Sequence, residues 1–399
     1  MTRFSFILFA LAILIGVIPA SGAESSNVPA RVSVLTTSPG RDVYQLEGHA
    51  TLRVITPAMG DMSIDWGVFD FNSPNFIYRF VSGQTDYTTG VYPTELHIAQ
   101  ASRQGRRITE RVINLDSIQT ERLLDLLDEQ LKPWNRVYRY NYVKDNCSTR
   151  IYRLLEQAIG DTITFDTIPS TMYAHGRYPT FRRLMDFHHR NYPWYQFGID
   201  LALGSGIDYP LSNRETLYAP TILDFQLEQA TVNGQPLVIE TNTLVEGAPG
   251  AIDPPTPFVA SPLFVTLLVM LLTIIVTWVD LKRDKTSRWL DTLLYSIFGV
   301  MGLVLTFLIF VSVHEATSPN WLYLWVNPLC FIGAIGIWLK KCKKLVVYWQ
   351  MLNFALLIAL TVIGLAGVQS INAAVYPLII TDLTRSMLYL YRYVKTIKQ

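Results

Sequence analysis

The chain has 399 residues, half of them hydrophobic, and a formal net charge of +1 at pH 7. That length accommodates a soluble domain and a second unit, and the near balance of charge excludes any global attraction to nucleic acid or to an anionic membrane surface. Partners must therefore be recognised locally.

At the N-terminus, Arg3 precedes an apolar run over 4–18 and the small residues Ala20, Ser21, Gly22 and Ala23. This pattern predicts a secretory signal peptide, residues 1–23, cleaved after Ala23. An uncleaved anchor is the alternative, although the run is short for a bilayer core of about 30 Å. Either version exports the adjoining domain.

Residues 24–246 read as a globular domain. VYQLEGHATLRVI alternates as a strand, a turn around Pro57 to Gly60 comes next, and MSIDWGVFDF reads as the second strand of a hairpin. Gly48 beside His49 is expected to allow the backbone of a nucleophile to come close. Further on, YRYNYVKDNCSTRIYRLLEQAIG predicts an aromatic strand over 138–143 and a Lys-Asp-Asn turn. A helix comes after the turn, with Ile151, Leu154, Leu155, Ala158 and Ile159 on one face and its end at Gly160. Asn146 suits the N-cap.

Cysteine usage gives the sharpest clue. Cys330 falls in an apolar span and Cys342 in a basic loop, so Cys147 is the sole thiol of the exported domain. A lone cysteine in an oxidising compartment pairs between chains, is incidental, or is kept for its thiolate. The first turn of a helix favours the last reading, because its free N–H groups and dipole stabilise both a thiolate and an oxyanion. A thiol nucleophile needs a base. Among the six histidines, His49 fits best, with a packed sheet histidine as the alternative. Asp70 is expected to orient its imidazole; Asp61, Asp65, Asn72 and Asn146 are rivals. His188 and His189 lack partners at metal-ligand spacing, so no metal site is expected. Phosphate-loop, Gly-x-Ser-x-Gly and nucleic-acid motifs are not found.

Residues 247–258, GAPGAIDPPTPF, read as a short stiff linker. Beyond it, 259–399 predicts an all-α bundle of five transmembrane helices at about 259–279, 290–313, 322–339, 345–367 and 373–391. Basic residues crowd 280–289, 340–344 and the tail, whereas loops 314–321 and 368–372 have no Lys or Arg. Basic loops stay in the cytoplasm, so the soluble domain is expected outside. Asp382 and Arg385, three apart on the last helix, are expected to face one another.

The segments GHATLRV, WGVFDFNSPNFIYRFVSGQTDY, YNYVKDNCSTR, FGIDLALG and HEATSPNW together resemble the Lnb family of bacterial lipoprotein N-acyltransferases, with Asn-Cys-Ser-Thr-Arg the most specific block. The resemblance implies an α+β permuted papain-like (NlpC-type) exported domain carrying Cys147 as nucleophile and His49 as base. It further implies an inner-membrane protein with its catalytic domain in the periplasm. An acyl chain would pass from a phospholipid donor through a Cys147 thioester to the α-amine of a diacylated lipoprotein acceptor. Membrane lipid is the setting, no cofactor is required, and nucleic acid is not a partner. Tyr142, Asn146 and Arg150 are then expected to bind substrate beside the thiol. At the outer leaflet, His314, Asn320, Trp321 and Gln369 would hold head groups. The alternatives are a membrane-bound cysteine amidase or endopeptidase acting on cell-wall peptide, and a non-enzymatic binding module with a silent Cys147.

Overall fold

The computed structural model describes residues 30–397 except 71, 174, 175 and 177, so the expected signal peptide lies outside the described residues. The first half of the chain builds strands β1 (Arg31–Thr37), β2 (His49–Thr56), β3 (Gly60–Val68), β4 (Asp86–Pro93), β5 (Ile108–Ile113) and β6 (Val137–Arg139). A small hairpin, β7 (Thr231–Val232) with β8 (Gln235–Pro236), precedes β9 (Val238–Val245). Seven strands form one sheet in the order β6-β4-β3-β2-β1-β5-β9, with every neighbouring pair antiparallel. The expected β2–β3 hairpin is present and pairs Leu52 with Ile64 and Thr56 with Gly60.

Strand alternation divides the sheet into two unlike faces. Ala50, Leu52, Val54, Ile64 and Trp66 point to one face and are fully buried. The helices α1 (Phe76–Val81), α2 (Thr94–Gln104), α3 (Ser117–Leu131) and α4 (Cys147–Ile159) succeed one another in chain order. Ile151, Leu154, Leu155 and Ala158 of α4 join the buried strand residues in one apolar cluster. Each such side chain contributes about 1.5–3 kcal/mol when fully buried, so this cluster fixes where the start of α4 lies on the sheet. The other face is partly polar. There Ser33 and Arg53 bond Glu110 at 2.7 and 2.8 Å, and Ser63 bonds Thr94 of α2 at 3.0 Å.

Residues 181–227 add α5 (Phe181–His189), α6 (Pro193–Ala202), α7 (Asn213–Thr216) and α8 (Pro220–Leu227). Arg182 holds this region together: it bonds Asp200 and Asp208 at 2.8 Å each and the carbonyls of Leu203 and Gly204. The linker is not a free spacer. Asp253 and Thr256 bond the hydroxyl of Tyr192 and the carbonyl of Asn191, which holds the linker against the domain.

The membrane half contains α9 (Pro262–Arg283), α10 (Arg288–Phe310), α11 (Cys330–Ile335), α12 (Lys343–Leu365) and α13 (Val375–Ile397). Among the described residues three helices are long and apolar enough to cross a membrane, starting at Pro262, Arg288 and Lys340. Two of the five expected spans depart from a plain apolar helix. The third, 322–339, is broken into a 3-10 turn at Trp321–Leu324, the six-residue α11 and a further turn. Pro328 cannot donate a backbone hydrogen bond, and the Asn327 side chain accepts from the Leu329 amide in its place. Such broken backbone is tolerated at membrane depth only when packed in protein. Here Trp325 and Val326 are fully buried, and Gly302 of α10 lets the Asn327 backbone come close.

The second is α13, which has the length of a span but carries Asp382 and Arg385 in its buried face. These two do not pair with each other. Arg385 reaches Asp280 at 2.9 Å and Asp291 at 2.5 Å, while Asp382 accepts from Tyr295 at 2.9 Å and Asn353 at 2.8 Å. Arg385 thereby ties α13 to both α9 and α10.

The soluble domain sits on the loops expected outside. Asn320 donates to the Leu201 carbonyl at 2.9 Å, Asn372 to Asp200 at 2.7 Å, and the Val313 amide to the Ser82 carbonyl at 3.0 Å. Lys144 also forms an exposed ion pair with Glu315, which adds little on its own. At the opposite end of the helices, Arg392 and Lys395 meet the 280–288 turn.

Candidate active site

Cys147 is the first residue of α4, and Asn146 caps that helix as the sequence predicts. The Asn146 side chain accepts from the Thr149 amide at 3.0 Å, and the Thr149 hydroxyl receives the Asn146 amide at 2.8 Å. Of the four N–H groups that a helix start leaves open, the capping pair takes those of Asn146 and Thr149. Those of Cys147 and Ser148 have no hydrogen-bond partner among the described residues and lie at the start of α4 beside the sulfur.

His49 opens β2 and lies near enough to Cys147 for its charge to act on the thiol. Cys147 is 5% exposed, whereas the His49 side chain is 32% exposed. His49 Nε2 is 2.6 Å from Asp65 Oδ1, which leaves Nδ1 as the ring nitrogen for the sulfur. Asp65 is itself held by the Tyr92 hydroxyl at 3.0 Å. The expected orienting residue, Asp70, is replaced in this arrangement by its rival Asp65. Extending the β2–β3 register puts Thr51 across from Asp65, so His49 is its diagonal neighbour on the same face. Asp70 lies past the end of β3 and accepts instead from the Asn72 amide at 2.8 Å.

The electrostatics fit an ion pair. Burial alone would raise the Cys147 thiol, but the charge and hydrogen bond of His49 and the Ala50 amide outweigh it and hold the thiol below its usual value of 9.0. Burial opposes protonation of His49, yet Asp65 and Cys147 prevail and raise its pKa well above 6.5. A thiolate beside an imidazolium, with free helix amides at hand, is equipped to attack an acyl carbonyl and to stabilise the oxyanion that forms.

Two matches to protein-family models cover most of the chain. Residues 22–185 match the Lnb N-terminal periplasmic domain, and residues 255–396 match the Lnb transmembrane domain. The chain belongs to the Lnb family. No curated protein and no solved structure matches it. Lnb membership makes it a membrane protein with a periplasmic N-terminal domain and points to an enzyme that modifies lipoproteins.

In this Lnb protein the expected substrate ligands are largely spent on the chain itself. Besides its capping bonds, Asn146 donates to the carbonyls of Tyr142 and Tyr218 at 2.7 and 2.8 Å, so it positions α4 and has no group left for a ligand. Arg150 grips Asp145 with two bonds of 2.8 and 2.7 Å and stacks 3.4 Å over the Tyr138 ring. Tyr142 is 44% exposed and makes a tilted ring contact with the buried Tyr218. His314 bonds the Phe80 carbonyl at 2.8 Å, Gln369 accepts from the Trp321 amide at 2.7 Å, and Gln369 also donates to Asn320 at 3.1 Å. These outer-edge residues weld loops to the soluble domain, which is a different task from holding head groups.

Gly48 also has a role other than the expected one. It adopts φ +83°, and a Cβ there would lie 2.7 Å from the Thr37 carbonyl oxygen, so the close approach it permits is to β1 and not to the nucleophile.

Two groups escaped the sequence reading. The Tyr138 hydroxyl is buried and has no hydrogen-bond partner among the described residues, and it lies near enough to Cys147 and Asp65 to feel their charges. Burial keeps it un-ionised against the pull of Arg150. Glu47, two residues before His49, is raised by burial to about 7 despite hydrogen bonds from Tyr142 and Tyr218. Only the assembled fold brings these groups to the site, since neither lies in a recognisable spacing with Cys147.

Proposed function

We propose that this protein is a lipoprotein N-acyltransferase of the bacterial inner membrane, with Cys147 as nucleophile, His49 as proton carrier and Asp65 as the residue that positions His49. The observation carrying this reading is the Cys147–His49–Asp65 arrangement at a helix start, in a domain hydrogen-bonded to the outer ends of the membrane helices.

In the first half-reaction the Cys147 thiolate attacks the carbonyl carbon of a phospholipid ester. The tetrahedral oxyanion takes hydrogen bonds from the Cys147 and Ser148 amides and from Tyr138. It collapses by breaking the ester C–O bond, and His49 gives its proton to the departing lysophospholipid oxygen. A thioester on Cys147 remains.

In the second half-reaction the uncharged α-amine of a diacylglyceryl-cysteine attacks that thioester, and His49 accepts a proton from the nitrogen. Collapse breaks the C–S bond, forms the amide and restores the thiolate–imidazolium pair. One ester and one amine become one alcohol and one amide, with no redox change and no cofactor. Both substrates lie in the outer leaflet, which accords with a domain fixed on the outer loops. A soluble cell-wall peptide gives no reason for that attachment.

The test is expression in cells depleted of their own N-acylating enzyme, with mass spectrometry of a reporter lipoprotein. The expected result is an added amide-linked chain that requires both Cys147 and His49. An unmodified N-terminus would refute the assignment, and so would full modification by Cys147→Ala.

A further inference from the structure

The helix α1 has no buried residue, although every side chain in it except Arg79 is apolar or aromatic. Ile77 is 78% exposed, Tyr78 56% and Phe80 48%. Apolar surface gathered in this way marks an interface, because leaving it in water forfeits roughly 25 cal/mol per Å². The surroundings of α1 identify that interface. Its end is fastened to the outer end of α10 by bonds from Ser312 to the Val81 carbonyl, from the Val313 amide to the Ser82 carbonyl and from His314 to the Phe80 carbonyl, at 2.8 to 3.0 Å. Gly83 makes the fit possible: at φ +74°, a Cβ would lie 2.9 Å from Val313 and 3.1 Å from the His314 amide. Tyr78 meets Phe307 of α10 edge-on at 6.0 Å. The exposed face of α1 therefore continues the apolar surface of a membrane helix, on which Phe310 is 68% exposed.

From α1 a row of rings leads away toward the thiol. Phe80 stacks on Phe76 at 5.8 Å, Phe76 on Phe69 at 5.7 Å, Phe69 meets Tyr87 at 5.1 Å, and Tyr87 stacks on Tyr140 at 4.4 Å. Tyr140 is near enough to Cys147 for the thiolate charge to act on it. Phe80 is exposed and Phe69, Phe76 and Tyr140 are partly buried, so the row presents ring surface on either side of the buried Tyr87. A peptide would need polar partners along its length, whereas this row offers two hydroxyls, both at the end near the thiol.

We propose that the row Phe80–Phe76–Phe69–Tyr87–Tyr140 is the groove that receives the acyl chain of an outer-leaflet phospholipid, with α1 seated in the boundary between head groups and acyl chains. The proposal rests on the acyltransferase reading of the Cys147 site. It supplies what that reading lacks, a continuous apolar path along which a chain rooted in the bilayer can lie while its ester reaches a sulfur in the soluble domain. Contact along the row makes chain length a determinant of rate, since each buried methylene adds binding.

The experiment measures thioester formation on Cys147 by intact mass, using full-length protein in detergent micelles with dipalmitoyl- or dioctanoyl-phosphatidylethanolamine as donor. In Phe76→Ser and Phe80→Ser, the ratio of long-chain to short-chain rates is expected to fall about tenfold or more. Alkylation of Cys147 by iodoacetamide identifies the variants that retain a folded site. Ile77→Ser alters only the exposed face and is expected to lower the rate on vesicles of dipalmitoyl lipid several-fold, so it provides the test should the ring variants misfold. An unchanged ratio in folded ring variants overturns the groove, and so does an unchanged vesicle rate in Ile77→Ser. If the unsubstituted protein gains no adduct from either donor, the acyltransferase reading falls and the groove falls with it.

Discussion

Asp65 Oδ1 lies 2.6 Å from His49 Nε2, so the ring nitrogen turned toward the Cys147 sulfur is Nδ1. This one contact fixes the orientation of the imidazole and supports its positive charge beside the thiolate. Asp65→Asn keeps the shape but removes that support, and the acylation rate is expected to fall about a hundredfold. Asp70→Asn is expected to stay within about twofold, because Asp70 only closes its own turn. Rates of reporter acylation by the two variants, measured side by side, check the assignment.

The pH dependence comes from two shifts of opposite sign. Cys147 is lowered, so its thiolate persists to lower pH than that of an ordinary cysteine and is lost as pH falls through that lowered value; His49 is raised, so its proton is lost only as pH rises through that raised value. Alkylation of Cys147 should therefore remain fast at pH values where an ordinary cysteine has become unreactive. In His49→Ala burial is no longer opposed by a charge. The alkylation profile should move to higher pH, with the rate at pH 7 reduced about tenfold or more.

Tyr138→Phe removes a buried hydroxyl that makes no hydrogen bond among the described residues of the resting protein. A purely structural role predicts little change. As an oxyanion donor it predicts a fall in kcat of about tenfold to a hundredfold with iodoacetamide reactivity nearly unaltered, because alkylation forms no oxyanion. Comparing the two rates separates these roles.

In the membrane half, Arg385→Ala would leave Asp280 and Asp291 buried without their cation. Loss of one partner of such a cluster costs about 3–5 kcal/mol. A clear drop in the melting temperature of the detergent-solubilised protein is expected. Replacement of Asp284, which is itself exposed, should leave it nearly unchanged.

Much of the site was legible in the sequence because it depends on local signals. Asn146, Cys147 and the apolar face of α4 announce a capped helix start, and the alternation around His49 announces a strand; both elements formed as expected. The orienting carboxylate was not legible, because choosing Asp65 over Asp70 depends on a register and a strand end that hydrophobic alternation alone does not locate. Polar residues in the outer loops looked free because their partners, the carbonyls of Phe80 and Leu201, lie more than a hundred residues away. The broken third membrane segment was hidden for a related reason. Its composition is that of a span, and only packing against α10 accommodates the irregular backbone at Asn327 and Pro328.

The most direct measurement is an intact-mass experiment on the purified full-length protein, first with phospholipid alone and then with a diacylglyceryl-cysteine peptide. A single acyl adduct is expected, which hydroxylamine removes and which is absent in Cys147→Ala. On addition of the peptide that adduct should disappear as an amide-linked chain appears on the peptide α-amine. A peptide acylated at an equal rate by Cys147→Ala, or an adduct that never passes to the amine, would contradict the thioester route.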